Sequence, residues 1–150
     1  MEVKKAFKSF RYPSTVVWTA ARRGRGSAAG KPDLDVGSPP EFRGEESVWS
    51  PEHLFVTSLN TCLMLTFLAL ADRRRLEVAA YESSAEGLLE NVDGRYRITA
   101  VTVRPQVTLK SETGLDTARE IMGKVDENCF ISNSITSKID LQPEFRVGSS

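Results

Sequence analysis

The stretch that opens at Ser50-Pro51-Glu52 constrains this chain more than any other. Serine as N-cap, proline at the first helical position and a carboxylate in the first turn predict a helix start. The helix is expected to run to about Arg75, because Arg73-Arg74-Arg75 puts positive charge where the dipole favours it. Between these ends, Leu54, Phe55, Val56, Leu59, Leu63, Met64, Leu65, Phe67, Leu68 and Leu70 leave hardly any polar face. A helix apolar all round must be covered on every side. A chain of 150 residues with 40% hydrophobic content has material for one core. A single globular domain over residues 1–150 is therefore expected, with a second copy wrapping the helix in a homodimer.

The longest apolar run, Thr61 to Ala71, falls short of the roughly 18 to 20 residues of a membrane span, so no membrane partner is expected. Twenty basic residues balance twenty acidic ones, which gives no field to recruit nucleic acid. Met1-Glu2-Val3-Lys4-Lys5 leads into no apolar segment of a secretory signal, which points to the cytoplasm. In that reducing compartment two cysteines form a catalytic or metal-binding pair more readily than a structural disulfide. Two Cys and one His without a C-x-x-C spacing make a poor zinc set, so no metal or cofactor is expected.

Upstream of the helix, Phe10, Tyr12, Val16, Val17 and Trp18 suit strand-like structure over 6–20. Arg22-Arg23-Gly24-Arg25-Gly26 reads as a turn, Leu34 to Val36 as a short strand, and Gly37, Pro39, Pro40 and Gly44 as a long loop. Downstream, Leu76 to Leu89 and Tyr96 to Leu109 read as two long strands joined at Asn91-Val92-Asp93-Gly94. Leu115, Ala118, Ile121, Met122 and Val125 recur at three- and four-residue steps, predicting a second helix that ends near Asn128. Ser137 to Val147 is expected as a final strand. The order β-β-α-β-β-α-β predicts an α+β protein with antiparallel sheets and two main helices.

Cys62 falls within the apolar helix and Cys129 just past the second one. A core thiol behaves as a small hydrophobe, and becomes a thiolate only beside an electropositive group. Arg22, Arg23 and Arg25 form one cluster that could supply it, although a solvated basic turn is the blander reading. His53 precedes Cys62 by nine residues, roughly 13 Å and half a turn on one helix, which rules out a cysteine–histidine dyad there. Neither a G-x-S-x-G elbow nor a dinucleotide glycine fingerprint occurs.

Ser50-Pro51-Glu52-His53-Leu54, the run Thr61-Cys62-Leu63-Met64-Leu65-Thr66-Phe67-Leu68, and Cys129-Phe130-Ile131-Ser132-Asn133-Ser134 together resemble the osmotically inducible protein C and organic hydroperoxide resistance (OsmC/Ohr) family. The similarity in element order extends over almost the whole chain. It implies an intertwined homodimer and thiol peroxidase activity on organic hydroperoxides. It also implies Cys62 as the peroxidatic thiol, Cys129 as the resolving thiol, and a dithiol reductant such as a lipoyl group. Glu52 matches the family glutamate that holds an arginine against the reactive sulfur. An ungapped count favours Arg23 for that arginine, and Arg22 or Arg25 under a small shift. Leu63, Met64 and Phe67 are candidates to line a substrate pocket. Phe130 stands where many peroxidase members carry proline, and His53 where Gln or Glu is common. The alternatives are a small-molecule binding or redox-sensing protein on the same fold, and a structural stress protein with inert thiols.

Overall fold

The computed structural model describes residues 7–148. Met1 to Lys5, on which the expectation of no secretory signal rests, and Ala6 lie outside the described residues. The chain forms two compact units, one ending at Pro51 and the other starting at Glu52.

The first unit is an antiparallel sheet in the order β1 (Thr15–Ala20), β2 (Arg23–Ser27) and β3 (Leu34–Gly37). The arginine–glycine segment expected as a turn is its middle strand. Trp18 pairs with Gly24, and Gly24 in turn with Val36. A side chain at Gly24 would meet the Val17 carbonyl oxygen at 2.9 Å, so the glycine permits close strand approach instead of marking a turn. The actual reversal lies between β1 and β2, where Ala21 takes the left-handed conformation at φ 46°. Trp49 adds a short parallel partner to β3, its carbonyl accepting from the Gly37 N–H at 2.9 Å.

In the second unit, α1 (Pro51–Arg73) starts where the Ser-Pro-Glu signal predicts and ends two residues before the expected limit. Leu59, Leu63, Phe67 and Ala71, at four-residue steps, are its buried stripe. By length and composition alone α1 is long and apolar enough to cross a membrane, although its longest unbroken apolar run is shorter. Small hydroxyl side chains such as Thr57 and Ser58 interrupt the apolar run while hardly lowering the helix's average hydropathy. The buried stripe places the helix in the core of its own chain.

Strands β4 (Val78–Val92) and β5 (Arg95–Leu109) form the expected hairpin. Asp93 and Gly94 close it with positive φ at both positions, 53° and 84°, the two-residue turn whose twist suits paired strands. Every second residue of β5 from Val101 to Leu109 is buried, as a half-covered sheet requires. The expected second helix divides into α2 (Leu115–Met122) and α3 (Val125–Asn128), because Lys124 leaves helical geometry at φ −112° and ψ −5°. Its apolar face nevertheless continues through Ala118, Ile121, Met122 and Val125, all buried.

The final strand also divides, into β6 (Lys138–Leu141) and β7 (Glu144–Val147), and both run parallel to β5. β6 pairs with Ala100 to Val103 and β7 with Gln106 to Leu109. Pro105, which has no N–H to donate, falls in the gap between those two registers. The core thus lies between α1, the inner face of β5 and α2–α3, and Cys129 belongs to it. The fold is α+β, as expected, and its named strands pair antiparallel except at β6 and β7.

Candidate functional site

Cys62 occupies the middle of α1, half-buried, and Cys129 follows α3 directly, fully buried; neither is in a disulfide. The fold brings the two sulfurs within hydrogen-bond contact. The segment after Cys129 turns sharply and enters a short 3-10 turn, Ser132–Ser134. Its side chains bind its own backbone. Ser134 Oγ donates to the Phe130 carbonyl at 2.7 Å, Asn133 Nδ2 to the Glu127 carbonyl at 3.2 Å, and Ser132 Oγ to Asp126. That locked turn directs the Ile131 and Phe130 N–H groups at Cys62 Sγ, while the Ser132 N–H meets Cys129 Sγ at 3.4 Å.

Burial raises the Cys62 thiol, yet the Ile131 N–H, the Cys129 thiol, the Phe130 N–H and the Thr66 hydroxyl outweigh it and hold it below its ordinary value. Thr66, one turn further along α1, also donates to the Cys62 carbonyl at 2.8 Å. Burial pushes Cys129 up to about 11. The hydrogen bond to Cys62 and the negative charge there add to the rise, which the Ser132 and Ile131 N–H groups only partly offset. The Cys62 proton is therefore held less tightly than on an ordinary thiol and the Cys129 proton more tightly.

Arg23 lies on β2, in the first unit, where its guanidinium pairs with Glu45 at 3.3 Å; Arg25 pairs with Asp35 at 3.8 Å. Glu52 sits in the first turn of α1, and its buried Oε2 has no hydrogen-bond partner among the described residues. Leu63 and Phe67 are core side chains, and Phe67 packs on Tyr81 with ring centroids 5.7 Å apart. Met64 is half-buried, but at about 100° per residue it lies roughly 160° round the helix from Cys62. The same arithmetic puts Phe55, Leu65 and Thr66 on the sulfur's face, and Leu65 is 56% exposed.

The family model described as OsmC-like protein matches residues 44–144, a span that contains both cysteines and Glu52. The chain belongs to the OsmC-like family. The uncharacterized protein YmaD of Bacillus subtilis (strain 168) is 26% identical over 115 residues, 75% of this chain and 77% of that protein. Among solved structures, an OsmC-like protein of unknown function from Vibrio cholerae O1 biovar eltor str. N16961 matches with a TM-score of 0.84 at 26% identity, over 91% of this chain and 100% of its own. An organic hydroperoxide resistance protein from Elizabethkingia anophelis matches with a TM-score of 0.74 at 15% identity, over 94% and 99% of the two chains. At that identity the second likeness shows the OsmC-like fold alone. The family includes hydroperoxide resistance proteins, and within this OsmC-like chain the structure adds donors that side-chain motifs do not reveal. The Phe130 and Ile131 N–H groups belong to the backbone, so no residue type announces them; the run of small polar residues Ser132-Asn133-Ser134, typical of self-bonded turns, was their one available signal.

Proposed function

We propose that this chain is a cysteine-based peroxidase that reduces organic hydroperoxides to alcohols. The observation that carries the reading is the contact between two free thiols whose protons are held with opposite strength. Likeness to organic hydroperoxide resistance proteins supports the substrate class.

In this reading the Cys62 thiolate attacks one oxygen of the hydroperoxide. An S–O bond forms, the O–O bond breaks, and the departing alkoxide takes a proton from water to leave as the alcohol. Sulfur is oxidised to a sulfenic acid and the peroxide is reduced. Loss of the charge on Cys62 removes what held the Cys129 proton most specifically. Cys129 sulfur then attacks Cys62 sulfur, the S–OH bond breaks, and the hydroxyl leaves as water with the Cys129 proton. A dithiol reductant, a lipoyl group being the suggested one, returns both thiols by two exchange steps and becomes a disulfide itself.

Arg23 is proposed as the guanidinium beside the thiolate and Glu52 as the carboxylate that orients it, the unpartnered Oε2 being the acceptor such a donor would satisfy. Leu65 and Phe130, the latter 81% exposed, offer apolar surface next to the sulfur in place of Leu63, Met64 and Phe67. The working form is proposed to be a homodimer in the cytoplasm. Val16, Val17 and Trp18 on the edge strand β1 and Leu65 on α1 are exposed in the single chain, and a second copy would cover them.

The test is intact mass after one equivalent of cumene hydroperoxide, followed by dihydrolipoamide, on protein whose dimer mass is checked by sedimentation. The expected result is a loss of two hydrogens mapped to Cys62 and Cys129, then renewed peroxide consumption. Thiols that stay inert to the hydroperoxide would overturn the reading in favour of a binding protein.

A further inference from the structure

We propose that the cleft where α1 ends and α2 begins is a binding site for a small phosphate ester, with the phosphate held by Arg74 and Arg75. The site is separate from the cysteine pair, since Arg73, the last residue of α1, lies roughly 17 Å along the helix axis from Cys62. It does not depend on the peroxidase reading.

An arginine stands where a helix end favours glycine. The Leu76 N–H donates to the Ala71 carbonyl at 2.9 Å and the Arg75 N–H to the Asp72 carbonyl at 3.0 Å, the paired bonds of a Schellman end. That end holds Arg75 in the left-handed region at φ 54°, where a Cβ is penalised and glycine is not. Arg73 already places positive charge in the last turn of α1, so the dipole does not require a further arginine at 75. Among the described residues the Arg75 guanidinium makes no ion pair. A strained residue whose side chain has no partner in the fold directs attention to what that side chain faces.

It faces a cleft of about 410 Å³ lined by Arg74, Arg75, Glu77, Ser111, Thr113 and Thr117. That volume falls among small-molecule sites, which span about 300 to 1,000 Å³. Arg74 is fixed in place by Glu120 on α2, at 3.1 Å. The Ser111 and Thr113 hydroxyls bond each other at 2.9 Å, which leaves one of their two hydrogens for a ligand. Two guanidiniums with hydroxyl donors beside them suit a tetrahedral oxyanion that offers several acceptor oxygens. Glu77, the one carboxylate of the lining, repels a bare anion but accepts from a hydroxyl. The lining therefore favours a phosphate ester with free hydroxyls over inorganic phosphate.

Arg75→Gly separates ligand from fold, because it removes the guanidinium and the backbone penalty together. Glycerol 3-phosphate and inorganic phosphate are titrated into the full chain at matched ionic strength, with acetate as the control anion, and the amide resonances of Arg75, Ser111 and Thr113 are followed. Saturable shifts are expected with glycerol 3-phosphate, weaker binding with inorganic phosphate, and no saturable shift with acetate. Arg75→Gly is expected to weaken binding of glycerol 3-phosphate by about tenfold or more, as for a lost bond to a charged group. Its urea midpoint is expected not to fall below that of the parent. No saturable shift, an equal response to acetate, tighter binding of inorganic phosphate than of the ester, or an unchanged affinity in Arg75→Gly would each overturn the site. A lower midpoint in Arg75→Gly would make the arginine a structural residue and overturn it as well.

Discussion

Cys62 and Cys129 touch, and both lose hydration, yet their protons are held with opposite strength. The difference lies in the donors. Cys62 faces two backbone N–H groups, a hydroxyl and a thiol, while Cys129 faces fewer donors and the charge of its neighbour. Burial alone would have raised both. A helix side chain cannot use the N–H groups of its own helix interior, which are spent on the i→i−4 ladder; Cys62 therefore depends on donors brought in by another segment. Cys129, just past a helix end, sits in the segment that brings them.

The largest break in that comparison is removal of the thiolate. Cys62→Ser is expected to abolish hydroperoxide consumption, a loss of about a thousandfold or more in a steady-state assay. Cys129→Ser should retain one rapid attack, read as a single equivalent of alcohol released, and then stall with Cys62 sulfenic acid open to further oxidation. If Cys129→Ser turned over with dihydrolipoamide at the parent rate, the two thiols would not be dividing the work.

A second prediction sharpens the comparison through stability. Cys62 ionises below its unfolded value, so its contribution is fully present above about pH 8.5 and is lost as pH falls through the folded value. Cys129 behaves inversely: the unfolded thiol ionises near pH 8.5 while the folded one waits until about 11, so stability falls across that window. Tyr81, buried and pushed up to about 12, extends the decline from about pH 10. Urea midpoints measured against pH should therefore peak near the ordinary thiol range. In Cys129→Ala the descending limb between about pH 8.5 and 10 should flatten, whatever the variant's absolute stability; an unchanged slope would mean that Cys129 is not held as a thiol.

Much of this architecture was legible in advance for physical reasons. The Ser-Pro-Glu start of α1, the long β4–β5 hairpin and the apolar face from Leu115 to Val125 are local signals that tertiary packing reinforced. The strand β2 was not legible, because arginine and glycine carry turn-like propensities and only pairing on both edges makes the segment a strand. Nor was the parallel course of β6 and β7, since strand direction depends on the path of the chain and not on side-chain alternation. At the site both cysteines stood out as rare residues. Leu63, Met64 and Phe67 lie close to Cys62 along the chain, whereas a helix presents neighbours at three- and four-residue steps, which selects Leu65 and Thr66.

Thr66 offers the smallest and most selective perturbation. Its hydroxyl serves the Cys62 carbonyl at 2.8 Å and the sulfur as well, so Thr66→Val keeps the shape of the side chain and deletes one shared donor. The backbone donors remain, and an ordinary hydrogen bond is worth about 1 kcal/mol net. Alkylation of Cys62 at pH 7 is then expected to slow by about threefold, the effect of one shared donor among several. A fall of about tenfold or more would move the main support of the thiolate from the loop to the helix, and the asymmetry between the two thiols would then originate within α1.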